Sequence, residues 1–310
     1  MKQKGTMMNN TWREICRHKY IYLILSFGII YLLIFAYIPM GGLMLAFKTY
    51  KAKLGILGSP FVGLKHFQRL TGEADFWRAV INTLQISFGR ILFEFPIPII
   101  LAIFVSELRL GKFKKTIQTV LTFPHFLSWV VVAAIVTNIF EYSGIINQVL
   151  GLFGQEPVTF LADKTLFRPL LYFTSVWKES GWTSIIYLSA IAAIDTSLYE
   201  AASIDGAGRL QRIWHITLPG IKSAIVIQLL LSIGNMMNGG FDQIFNMSNP
   251  AVLNVSDILD TYIYRITFQT GCDFGFSTAV GLFKSLINFA LLLTFDRVAR
   301  KMGERGIMGG

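Results

Sequence analysis

Charge is what this chain has least of. Asp, Glu, Lys and Arg make up 15% of its 310 residues, where a soluble globular domain carries about a quarter. With 53% hydrophobic residues, that shortage excludes a water-facing surface over most of the chain. Cysteine is equally sparse: Cys16 and Cys272 stand far apart, without the paired spacing of a metal or redox motif. The histidines His18, His66, His125 and His215 are scattered, with no H-E-x-x-H and no carboxylate at ligand spacing, which argues against metal-assisted chemistry. A G-x-S-x-G nucleophile turn is also missing. The nearest thing to a phosphate loop, "GLMLAFKT" (Gly42 to Thr49), has Phe47 where the second glycine belongs. A phosphate cradle needs a backbone free to aim its amides inward, so the match fails and the chain is not expected to bind ATP.

Long apolar runs are abundant. A hydrocarbon core of roughly 30 Å needs about 20 apolar helical residues, and the sequence predicts an all-α, polytopic membrane protein of about six spans. They are expected near 20–38, 84–105, 117–140, 169–193, 223–241 and 277–296. Residues 20–296 thus form a membrane domain between an N-terminal tail (1–19) and a C-terminal tail (297–310). The first run exceeds the usual signal-peptide length and no A-x-A-like cleavage site follows, so it reads as an uncleaved span. Pro96 and Pro98 inside the second point to a bundle interior, where neighbouring helices satisfy the freed carbonyls.

The formal net charge of +10 does not imply nucleic acid, because the cations lie in short patches between apolar runs, as beside anionic lipid headgroups. Roughly twice as many fall on one side as on the other. On that side lie Lys2, Lys4, Arg13, Arg17 and Lys19, then Arg109, Lys112, Lys114 and Lys115, then Arg209, Arg212 and Lys222, then Arg297, Arg300, Lys301 and Arg305. Both termini are therefore expected in the cytoplasm, although the long first outer loop is itself basic (Lys48, Lys51, Lys53, Lys65, Arg69).

Under this topology the polar stretch 195–221 is cytoplasmic. Ser197 and Glu200 have capping-box spacing, predicting a helix from about Ser197. Ala201, Ala202 and Ile204 give it a thin apolar face, and Asp205 and Gly206 supply a stop. A second helix is predicted over about Arg209 to Ile216, ending before Pro219. From spacing alone, a well-capped loop explains this elbow as well as a docking element does.

The string "IDTSLYEAASIDGAGRLQRIWHITLPGI" (Ile194 to Ile221) resembles the EAA loop of permease subunits in binding-protein-dependent ABC importers. Glu200, Ala201, Ala202, Gly206, Ile216, Leu218 and Pro219 fall on that loop's pattern. "GSPFVGLKHF", "INTLQIS" and "GIINQVL" resemble flanking stretches of sugar permeases, especially those for oligosaccharides or polysaccharides that pair with a maltose-type second permease. Thr196 and Ser197 stand where such proteins often have Pro and Glu.

The resemblance implies a type I ABC importer permease fold in the plasma membrane of a bacterium. It also implies a heterodimer with a second permease subunit, two ATP-binding cassette ATPase subunits carrying ATP and Mg, and an extracellular binding protein that delivers sugar. No cofactor is implied in this chain. The coupling residues it implies are Glu200, Ala201, Ala202, Asp205, Gly206, Leu218 and Pro219.

Substrate contacts are sought among polar and aromatic residues inside apolar spans, which are costly there and face the interior or a wet cavity. Trp177, Lys178, Glu179, Trp182, Asn235, Asn238, Asp242 and Lys284 qualify. The plainer alternative for each is an interhelical hydrogen bond or a place at the membrane interface. Lys178 and Glu179, adjacent on a helix, point about 100° apart and need not pair. Arg90 and Glu94, four apart, read as a structural pair. Lys178 and Lys284 would gain interest with an acidic sugar, although a carboxylate on another helix is the plainer partner for Lys284. An importer of another solute, an ion-coupled transporter or a membrane scaffold remain alternatives.

Overall fold

The computed structural model describes residues 17–108 and 111–301. Lys2, Lys4, Arg13, Cys16, Arg109 and Arg305 lie outside the described residues, as do most of both tails. Four helices are long and apolar enough to cross a membrane among the described residues: α1 (Lys19–Phe47), α2 (Ala74–Ser106), the pair α4 and α5 within Trp129–Leu152, and α12 (Phe274–Lys301), over Phe274–Arg297. Two bent pairs bring the number of candidate spans to six. One is α6 (Phe167–Ala192) with α7 (Thr196–Ile204), the other α8 (Arg209–Gly220) with α9 (Lys222–Gly234). Between them fall α3 (Gly111–Thr122), α4 (Trp129–Phe140), α5 (Ile145–Leu152), α10 (Phe241–Met247) and α11 (Leu259–Tyr264).

The chain divides into two compact units. In the first, residues 1–69 with 273–282, α1 runs beyond the predicted 20–38 because Pro39 does not stop it. A π-helical turn over Leu33–Tyr37 precedes the proline and accommodates its missing N–H. Lys48 then pairs with Phe61 in an isolated antiparallel bridge. Its buried ammonium donates to the carbonyls of Ile56 (3.0 Å) and Leu57 (2.8 Å), so this cation of the first loop closes a turn.

The second unit, residues 70–272 with 283–310, is built around α6. Its core gathers Ile86 from α2, Val132, Ala133 and Val136 from α4, Phe167, Leu170 and Leu171 from α6, and Ile244 and Met247 from α10. Small residues let helices close up: a Cβ at Gly181 would collide with the Leu121 carbonyl of α3, and one at Gly89 with Tyr172. Such contacts hold helices together where lipid removes the hydrophobic driving force between them.

Three further predicted runs are divided or extended. Helix formation across 117–140 is interrupted because Pro124 sits in a 3₁₀ turn and Ser128 caps a new helix, its hydroxyl accepting from Val131 N at 3.3 Å. The run 223–241 stops at Gly234, and Gly239 and Gly240 follow in left-handed conformations (φ +55° and +83°) before α10 begins. The second run starts a decade earlier than predicted, at Ala74, since the amphipathic stretch before Leu84 is also helical.

Candidate functional site: a helical elbow and a polar cavity

The elbow is α7 and α8. Its N-cap is Asp195, whose carboxylate accepts from Ser197 N at 2.9 Å. This corrects the predicted box: with Asp195 as cap, Glu200 sits beyond the first turn and is exposed. The same hydrogen bonds hold the Asp195 carboxyl below its ordinary pKa. At the other end Gly206 takes φ +78°. Ala207 N donates to Ala202 O (2.8 Å) and Gly206 N to Ser203 O (3.2 Å), the paired bonds of a Schellman stop.

The second arm differs from its prediction. α8 continues through Pro219 to Gly220, because a π turn over Ile213–Thr217 again precedes the proline. Its bend, 60°, falls at Ile221 instead. Two side-chain bonds lock the arms: Tyr199 Oη to Thr217 Oγ1 at 2.9 Å, and Arg212 Nη1 to Ser203 Oγ at 3.0 Å. Glu200, Ala201, Asp205, Gly206 and Pro219 are exposed, with Ala202 and Leu218 half-buried. Ile204, Leu210 and Trp214 are also well exposed apolar side chains of the elbow. Leu218 packs on the cluster of Ala102, Tyr187 and Ile221, tying the elbow to α2 and α6.

Tyr187 reaches the second feature, an open cavity of about 390 Å³ lined by α2, α6, α9 and the broken segment after Gly234. Glu179, Asn235 and Asn238, named from sequence, line it; Trp177, Lys178, Trp182, Asp242 and Lys284 do not. Lys178 is buried and, contrary to the helical-wheel argument, bonds Glu179 Oε1 at 2.8 Å and the His125 carbonyl at 2.9 Å. Flexible side chains bridge the angle that the backbone leaves. Glu179 also meets His125 Nδ1 at 2.6 Å, and Trp182 stacks flat on that imidazole, 4.6 Å away and 2° from parallel. Trp177 and Asp242 are exposed, and Lys284 pairs with Asp260 at 2.5 Å, the carboxylate on another helix.

Sequence reasoning missed most of the wall: Ser87, Ser175, Tyr187, Gln228 and Ser232. Gln228, Ser232 and Asn235 lie at i, i+4 and i+7, a polar helical stripe that could have been read in advance. Arg90 and Glu94 are paired as predicted, at 3.3 Å, yet they also line this cavity.

The family model described as "Binding-protein-dependent transport system inner membrane component" matches residues 95–304. The chain belongs to this family. As a member of it, the chain is a multi-pass transport subunit and not an enzyme, and no metal-ligating cluster occurs among its described residues. The chain is 44% identical to the polygalacturonan/rhamnogalacturonan transport system permease YteP of Bacillus subtilis (strain 168), over 95% of this chain and 92% of that one. It is 42% identical to Protein LplB of the same organism, over 94% and 92%. Among solved structures it resembles, at 37% identity and TM-score 0.88, a chain of a bacterial ABC transporter that imports the acidic polysaccharide alginate, covering 94% of this chain and 99% of that one. A second structure with the same scores shows that transporter with its periplasmic protein bound to an alginate pentasaccharide. The type I importer permease fold follows from these likenesses.

Proposed function

We propose that this family member moves an acidic oligosaccharide through its polar cavity into the cytoplasm, driven by ATPase subunits that dock on the elbow. The observation carrying the substrate class is that two proteins matching nearly the whole chain, at 44% and 37% identity, are named for polygalacturonan and rhamnogalacturonan and for alginate. A second permease subunit completes the pathway, and a binding protein delivers the sugar from outside. Both termini and the elbow face the cytoplasm, in keeping with the distribution of Lys and Arg. ATP and Mg reside on the partner ATPases.

The coupling role rests on the elbow's build. Glu200 and Asp205 offer exposed carboxylates for charge-assisted bonds, while Ala201 and Ala202 admit close approach. Gly206 sets the bend, and Leu218 with Pro219 passes motion on to Tyr187 at the cavity wall. The test is uptake of a labelled oligogalacturonate by proteoliposomes holding this chain, its membrane partner, the ATPases and the binding protein. ATP-dependent accumulation supports the reading; accumulation of neutral sugars alone overturns it.

A further inference from the structure

The two lysines that the sequence offered to an acidic sugar are engaged elsewhere, Lys284 with Asp260 and Lys178 with Glu179 and a main-chain carbonyl. Neither lines the cavity. Its wall carries a single cation among the described residues, Arg90, facing the carboxylates Glu94 and Glu179.

Arg90 is held in an incomplete way. Its Nη1 donates to Ser175 Oγ at 3.2 Å and stands 3.3 Å from Glu94 Oε1, longer than the roughly 2.7–2.9 Å of a charge-assisted bond. Nη2 donates to Gln243. Nε has no acceptor, and Glu94 Oε1 receives no hydrogen bond. A guanidinium presents five donors in a planar fork shaped for a carboxylate, and the intramolecular carboxylate meets this fork poorly. The break after Gly234 provides its room: a Cβ on Gly240 would collide with the Arg90 guanidinium.

We propose that Arg90 is the specificity-determining residue that recognises the carboxylate of a uronate unit in transit, with Glu94 as the internal competitor. The inference rests on the acidic-sugar reading above. A passing carboxylate displaces Glu94 from the fork and gains the alignment that Glu94 lacks. Glu94 then reclaims the arginine, so the site releases what it binds, as a transport pathway requires.

The test uses the complete importer in proteoliposomes with an oligogalacturonate, scoring sugar moved per ATP hydrolysed. Arg90→Gln should lower this ratio at least about tenfold, the lower end of what a hydrogen bond to a charged group contributes. Arg90→Lys, which keeps the charge and loses the fork, should retain an intermediate ratio. Glu94→Gln should lower KM, since the competitor is gone, and slow release. Wild-type ratios in Arg90→Gln overturn the assignment. So does equal loss in Arg90→Gln and Arg90→Lys with failed assembly, which marks a purely structural role. If the wild type moves no oligogalacturonate, the acidic-sugar reading fails first and the Arg90 role falls with it.

Discussion

Tyr199 and Thr217 face each other across the elbow, their hydroxyls 2.9 Å apart, although they belong to different helices and stand 18 residues apart in sequence. Thr217 is buried, so its hydroxyl has no water to fall back on. The bond fixes the angle between the arm that carries Glu200 and the arm that enters α9.

Removing it should loosen transmission more than it harms folding. Tyr199→Phe and Thr217→Val should each cost about 1 kcal/mol of stability and reduce ATPase stimulation by the loaded binding protein. The double variant should be no worse than either single one; additive losses in that cycle would show that the two hydroxyls act apart.

Gly206 should tolerate a side chain only if that chain accepts positive φ. Gly206→Asn should still co-purify with the ATPases, and Gly206→Ala should weaken the elbow by about 1 kcal/mol. Gly206→Pro cannot reach φ +78° and deletes the donor to Ser203, so co-purification and transport should both be lost.

The cap at Asp195 predicts a pH dependence confined to the elbow. Its carboxyl is held below the ordinary value by bonds from Ser197. The stabilisation is therefore fully present above the usual carboxylate pKa and disappears as pH falls through the lowered one. Amide exchange at Ser197, followed by mass spectrometry, should slow less on acidification than its intrinsic base-catalysed rate does, because protection is lost as the cap protonates. Asp195→Asn, which caps without ionising, should remove that difference.

Lys178 serves the wall without touching the cavity. Lys178→Met leaves Glu179 to His125 alone and the His125 carbonyl without its donor. A loss of about 1–3 kcal/mol is expected, read as a lower melting temperature in detergent. A wild-type melting curve would mean that the ammonium contributes nothing net.

What could be read in advance follows the physics of each feature. The helices over 20–38, 169–193 and 277–296 could be read because a long apolar run in lipid can only be helix, and the elbow because its E-A-A and L-P residues carry a recognisable pattern. Local rules failed at Pro219 and Pro39, where a π turn absorbs the proline, and at Ser197, where Asp195 two residues earlier makes the stronger cap. The cavity stayed hidden because Arg90, Ser175 and Gln243 meet across separations of 85 and 153 residues. No spacing rule reaches that far. Lys178 and Glu179 misled for the opposite reason: neighbours on a helix pair readily when a third group, His125, draws both side chains to the same place.

The break between Gly234 and Phe241, a 3₁₀ turn over Met236–Asn238 followed by two left-handed glycines, has a bearing on how such a pathway can evolve. Peptide groups outside the helical ladder can serve as ligands for sugar hydroxyls, and they belong to every residue type alike. Substitution can retune the side chains around that seam, as from one glycan to another, without erasing its main-chain chemistry. The two glycines preserve the opening, leaving the rest of the wall free to diverge.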